Sequence, residues 1–249
     1  MSRRLVSTLS VLGFLTVWEL APRLGLVDPR LVSQPTRIFA AGLGVLREGG
    51  LASHLGTSLL EFVLGMSLAL ALGLPLGLLL GSSRKLRDFL DAPIMALNAA
   101  PRLALLPIFV VWLGVGLEPK IAVVLAGAVV PIVVNAAAGV RGVDRSLVTA
   151  ARSLGGRRLD VFLKVLLPGA VPAVIAGIRM GLGRGLLGVV VGEMYASQSG
   201  IGHLILSTGA AFQVDELLFY TLLVSAFGVA LTSAARRLEE RLRPWSVSR

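Results

Sequence analysis

The chain has 249 residues, of which 55% are hydrophobic and only 15% charged, and its mean hydropathy is +0.84. A soluble domain carries about a quarter charged residues, so an ordinary soluble fold is excluded. The net charge is +10, and in so apolar a chain the arginine excess reads as a topology signal rather than a nucleic-acid footprint.

The remaining composition narrows the chemistry. Cysteine is absent, which removes disulfides and thiolate metal sites. The two histidines, His54 and His203, are far apart and form no ligand-like spacing, so no metal site is expected. No clustered nucleophile, base or metal-ligand set suggests catalysis.

Long charge-free runs place the chain in a membrane. Phe62 to Ser83 gives 22 such residues, Ile121 to Val140 gives 20, Leu217 to Ala235 gives 19 and Leu103 to Leu117 gives 15. About 20 apolar residues cross the hydrocarbon core as a helix, and helices satisfy their own backbone polar groups in lipid. Six spans are expected: Leu5–Leu20, His54–Gly81, Ala92–Val115, Ile121–Val140, Pro168–Ala196 and Leu217–Ala235.

The first of these follows Arg3 and Arg4 and is short enough to compete with a signal peptide. Glu19-Leu20-Ala21 makes a poor cleavage site, so an uncleaved span is preferred. Before the second span, "PTRIFAAGLGVLREG" sets Ile38, Ala41, Val45 and Leu46 at helical spacing, which predicts an interfacial helix on the outer face. The second span carries Gly65, Gly73, Gly77 and Gly81, and the fifth carries Gly177, Gly181, Gly185, Gly188 and Gly192. Spacings of four put smooth stripes on helix faces, where backbones can approach closely. Pro93, Pro101 and Pro107 in the third span can each kink it.

Basic residues then orient the chain. With the N-terminus inside, the cytoplasmic segments hold 16 Lys and Arg, and the outer segments hold 5, namely Arg23, Arg30, Arg37, Arg47 and Lys120. That imbalance places both termini in the cytoplasm. Residues 1–53 form the first span with the outer helix, 54–236 the core with a cytoplasmic loop at 141–167, and 237–249 a cytoplasmic tail.

That loop contains "TAARSLGGRRLDVFLKVLLP", Thr149 to Pro168. Asp144 or Ser146 can cap a helix start. Leu147, Ala150, Ala151 and Leu154 then form one small apolar face, and Gly155-Gly156 supplies left-handed geometry to end the helix. A second helix follows, with Leu159, Phe162, Leu163 and Leu166 on one side and an Asp160–Lys164 pair on the other. A small-faced helix of this kind suits a groove on another protein.

The spacing resembles the cytoplasmic signature of bacterial ABC importer permeases: E-A-A, three residues, G, nine residues, I-x-L-P. Here Thr149-Ala150-Ala151 is followed after three residues by Gly155 and after nine more by Val165-Leu166-Leu167-Pro168, with Thr149 in place of Glu and Val165 in place of Ile. "WELAPRLGLVDPRLVSQPT", "LPIFVVWLGVG", "PIVVNAAAGVRGVD", "GVVVGEM" and "SGIGHLI" are similar to the nitrate/sulfonate/taurine-type branch of that family.

The resemblance implies an all-α membrane protein with the type I ABC importer (MetI-like) permease fold, sited in the bacterial cytoplasmic (inner) membrane. It implies transport by alternating access without catalysis in this chain. It also implies two permease copies, an ABC ATPase dimer that binds ATP and Mg, and an extracytoplasmic binding protein. Consistent with a separate ATPase, none of the three lysines, Lys85, Lys120 and Lys164, follows a glycine as a phosphate loop requires. The coupling residues carried over are Thr149, Ala150, Ala151, Leu154, Gly155, Leu167 and Pro168. A stand-alone secondary transporter is the competing class, and a vitamin precursor such as a thiamine pyrimidine is the competing cargo to a sulfonate, taurine or nitrate anion.

Candidate pathway residues are Asn98, Arg102, Arg179, Arg184 and Glu193, because intramembrane charge is costly and usually faces a cavity. Arg179 and Glu193 share a helix face but stand about 21 Å apart along the axis, and Arg184 points elsewhere. The competing reading pairs the two span-five arginines with Glu61 or Asn98, or lets them snorkel.

Overall fold

The computed structural model describes residues 3–242, and these are helical almost throughout. In chain order the helices are α1 (Arg3–Arg23), α2 (Pro29–Val32), α3 (Pro35–Glu48), α4 (Leu51–Ser82), α5 (Arg84–Ala99), α6 (Leu106–Leu113) and α7 (Glu118–Arg141). They continue with α8 (Arg145–Ser153), α9 (Arg158–Val161), α10 (Leu167–Ala196), α11 (Ile201–Ala210) and α12 (Val214–Leu242). Among the described residues, α4, α7, α9 running into α10, and α12 are each long and apolar enough to cross a membrane, and α5 with α6 makes a fifth span if the bent pair counts as one.

One of the expected spans is not a single continuous helix. The third is broken: α5 ends at Ala99, a 3-10 turn occupies Arg102–Leu105, and α6 leaves at 86° to α5. Pro101 precedes that turn and disfavours helical geometry at Ala100, whose φ, ψ of −62°, 137° are extended. The residues of the expected first span lie in α1, whose 21 residues rise about 31 Å and leave Phe14 and Val17 exposed.

The core is the packing of α4 and α10 on either side of α7, and glycines set its register. Along α4, Gly65 meets Val124, Gly73 meets Ile132, Gly77 meets Ala136 and Gly81 meets Val140, so the two helices run parallel with a constant offset. On the other side of α7, Gly192 meets Lys120, Gly188 meets Val124, Gly177 meets Asn135 and Gly139 meets Ala173, an antiparallel seam. The predicted stripes are therefore the two surfaces that grip α7. Small residues allow this backbone approach, and dispersion over the long contact is what holds helices together in lipid.

A side chain at Gly77 would put its Cβ 2.7 Å from the Val133 carbonyl oxygen, whereas at Gly183 nothing lies within 4 Å. Gly77→Leu is expected to cost about 1–3 kcal/mol or more by overpacking, read as a lower unfolding temperature in detergent. Gly183→Leu serves as the neutral control, and equal effects from both would refute the seam.

The helix predicted before the second span forms as α3. It buries Ile38 and Val45, and Gly42 lies directly against the Phe219 ring of α12. Arg37 pairs with Asp215 of α12 at 2.8 Å, which ties α3 down at the end opposite the 141–167 loop.

Candidate functional site: the coupling loop and the buried cluster

The loop folds as its residues dictate. Asp144 caps α8, its Oδ1 accepting from the Ser146 N–H at 2.8 Å. Gly155 has φ +79°, which closes the helix in the left-handed region. The Gly156 N–H donates to the Ala151 carbonyl at 3.0 Å and the Gly155 N–H to the Arg152 carbonyl at 2.9 Å, the paired bonds of a Schellman ending.

No residue of α8 is buried, and Leu154, just past its end, is 88% exposed. Ala150 and Leu147 are also exposed. Thr149 is exposed and donates its hydroxyl to the Arg145 carbonyl of its own helix at 2.9 Å.

After the glycines the loop does not form a separate second helix. The Arg157 N–H donates to Asp160 Oδ2 at 3.2 Å and starts α9. Lys164 pairs with Asp160 at 2.8 Å, as expected for an i,i+4 pair. A π-turn over Phe162–Leu166 then runs directly into α10, with Leu167 and Pro168 in its first turn. α8 is thus joined to α10 through the Gly155-Gly156 turn, α9 and the π-turn.

The five pathway residues are not gathered at one point. Asn98 lies exposed near the end of α5, and Arg102 begins the turn at the break, its side chain being outside the described residues. Arg179 pairs with Glu239 of α12 at 3.5 Å. Arg184 is exposed, with no carboxylate in ion-pair range among the described residues. Glu193 is fully buried.

The expectation that Glu61 serves Arg179 or Arg184 is corrected, because Glu61 forms an ion pair with Lys120. Lys120 was expected as an outer-loop charge, yet it is 5% exposed at the start of α7. Its Nζ also donates to Ser197 Oγ at 3.0 Å.

Nearby, Glu193 accepts from Ser58 Oγ at 2.5 Å and from the Gly202 N–H at 2.7 Å. The Ile201 N–H donates to Ser58 Oγ at 2.9 Å, and the Gly200 N–H to His54 Nδ1 at 3.0 Å. Three successive N–H groups at the start of α11 are thus held by α4 and α10, satisfying donors that every helix start leaves open. Gly200, at φ +103°, sits against the Glu193 carboxylate where a Cβ would collide with it.

Sequence reading missed this cluster. The available signal was two acids and a lysine inside or beside apolar runs, with two glycines in "SGIGH".

Comparison with known proteins now bears on the loop. Residues 73–244 match the family model described as the binding-protein-dependent transport system inner membrane component. The chain belongs to this family of ABC transport permeases. The permease is 34% identical to the taurine transport system permease protein TauC of Escherichia coli, over 96% of this chain and 88% of that one. It is 35% identical to a putative aliphatic sulfonates transport permease protein, SsuC, of the same organism, over 94% and 89%.

A formylaminopyrimidine transport permease protein of Halalkalibacterium halodurans is 26% identical over 96% and 94%. The solved MetNI methionine ABC transporter superposes with a TM-score of 0.68 at 21% identity, covering 77% of this chain and 95% of that one, which shows the fold. The permease is thus a multi-pass inner membrane component, and it is not itself an ATPase.

Proposed function

We propose that the permease imports a solute bearing an anionic sulfonate group, taurine or a short aliphatic sulfonate, by alternating access driven from outside its own chain. The exposed α8, bounded by the Asp144 cap and the Gly155 ending, carries this reading. Thr149, Ala150, Ala151, Leu154 and Gly155 dock on a separate ATPase dimer that binds ATP and Mg, and Leu167 and Pro168 pass the motion into α10. Two copies of the permease face one another, and a binding protein delivers the solute from the outer side. Both termini lie in the cytoplasm, where the basic residues concentrate.

The broken third span supports a pathway near Asn98 and Arg102, because non-helical backbone at membrane depth is tolerated only against protein or a water-filled cavity. Arg184, exposed and without a carboxylate, is a counter-charge for the anion. The 26% identity to a formylaminopyrimidine permease supports a vitamin-precursor cargo as the second reading, and the higher identities to taurine and sulfonate permeases favour the anion.

Proteoliposomes holding the permease with its ATPase and binding protein test both readings. Taurine or ethanesulfonate is expected to stimulate ATP turnover and to accumulate inside. Stimulation by an aminopyrimidine alone would overturn the anion reading, and uptake with no ATPase present would overturn the coupling.

A further inference from the structure

Five arginines from three elements line one cleft at the coupling-loop end of the bundle: Arg84 and Arg87 of α5, Arg141 at the end of α7, and Arg145 and Arg152 of α8. The cleft has a volume of about 650 Å³, and no carboxylate lines it. Arg84 and Arg87 share a single acid, Asp88, at 3.7 and 3.8 Å. Arg141, Arg145 and Arg152 have no carboxylate in ion-pair range among the described residues. A topological rule asks only for positive charge on one side of the membrane. It does not ask that guanidinium groups from separate helices converge.

A narrower crevice adjoins the cleft and shares Arg87 and Arg141 with it. Its other walls are Leu80, Ile94, Val133, Val134 and Ala137, with Asp91 the one acid. It is small, about 70 Å³, and lies against the last turn of α4 and the last turns of α7, so the cationic cleft adjoins a short apolar slot.

We propose that this cleft and crevice form a binding site for one anionic phospholipid, its phosphate held by the arginines and the first few carbons of an acyl chain laid between α5 and α7. Guanidinium groups bind phosphate through paired, charge-assisted hydrogen bonds, and basic pockets between membrane helices hold anionic headgroups. A free phosphate would use the arginines but not the slot, which is why the lipid is favoured. In the orientation proposed above, the lipid belongs to the cytoplasmic leaflet, beside the hinge between α7 and α8. The site is independent of which solute is carried.

The full-length permease, purified in detergent, is titrated with mixed micelles of dioleoyl-phosphatidylglycerol or dioleoyl-phosphatidylcholine, and both the unfolding temperature and the lipid retained in native mass spectrometry are measured. Phosphatidylglycerol is expected to be retained and stabilising where phosphatidylcholine is not. In Arg87→Gln/Arg141→Gln its apparent affinity is expected to fall about tenfold, as two charge-assisted contacts are lost. Val134→Trp, which fills the slot and keeps every arginine, is expected to weaken retention similarly.

Arg236→Gln/Arg241→Gln removes equal charge outside the cleft and is expected to retain the lipid. Unchanged unfolding temperatures in phosphatidylcholine show that each variant folds. Equal losses in the cleft and control variants would reduce the effect to general surface charge and overturn the proposal. Inorganic phosphate giving the same stabilisation would overturn it in favour of a free-anion site. Loss of the lipid when the ATPase is added would overturn it in favour of a docking surface for that protein.

Discussion

Lys120→Met is expected to be among the most destabilising single substitutions in this chain, at about 3–5 kcal/mol. The ammonium is buried at the start of α7, paired with Glu61, which is itself fully buried on α4. Removing it leaves a carboxylate in a dry setting with no compensating charge, and Glu193, also fully buried, lies in the same region. A chain of this size loses about 2–4 °C per kcal/mol, so a fall of roughly 6–20 °C should appear in thermal unfolding in detergent.

The double variant Lys120→Met/Glu61→Gln is expected to recover much of that loss, because replacing both members of a buried pair is often close to neutral. Lys120 also reaches Ser197 at 3.0 Å, so the single variant should speed hydrogen exchange in the 197–202 turn. A Lys120→Met protein as stable as the parent would show that the ion pair does not hold α4 to α7.

The contrast between this cluster and the glycine seams explains what a sequence can reveal. Gly65, Gly73, Gly77 and Gly81 recur on one face of a single helix, so periodicity exposes them. Their partners Val124, Ile132, Ala136 and Val140 lie on another helix, and only packing fixes the offset. Lys120 stands beside Glu118 and Pro119 at a helix start, a local pattern shared with many solvated turns. Its burial depends on Glu61 and Ser197, each more than 50 residues away, and no local pattern encodes that.

The α8 cap and its glycine ending were legible because both are local: Asp144 bonds two residues on, and Gly155 and Gly156 bond three and five residues back. The continuation of α9 into α10 was not legible. Pro168 reads as a boundary, yet the wider π-turn before it accommodates the proline and carries the helix through.

Leu154→Asp is the second large effect, and it separates folding from coupling. The side chain is 88% exposed, so the substitution removes almost no buried area and thermal unfolding should stay within about 0.5 kcal/mol of the parent. On the proposed reading, the same leucine anchors α8 in the ATPase. Losing an apolar interface anchor costs about 2 kcal/mol or more, roughly a 30-fold loss of affinity, and a desolvated aspartate in the groove adds to that.

ATPase retained on the immobilised permease and ATP-driven uptake in proteoliposomes should therefore both fall by an order of magnitude or more. Phe212→Asp is the control: that side chain is 80% exposed in the turn between α11 and α12, at the opposite end of the bundle, and should leave ATPase retention unchanged. If Leu154→Asp binds the ATPase and transports as the parent does, α8 is an inert surface helix and the drive must enter α10 elsewhere.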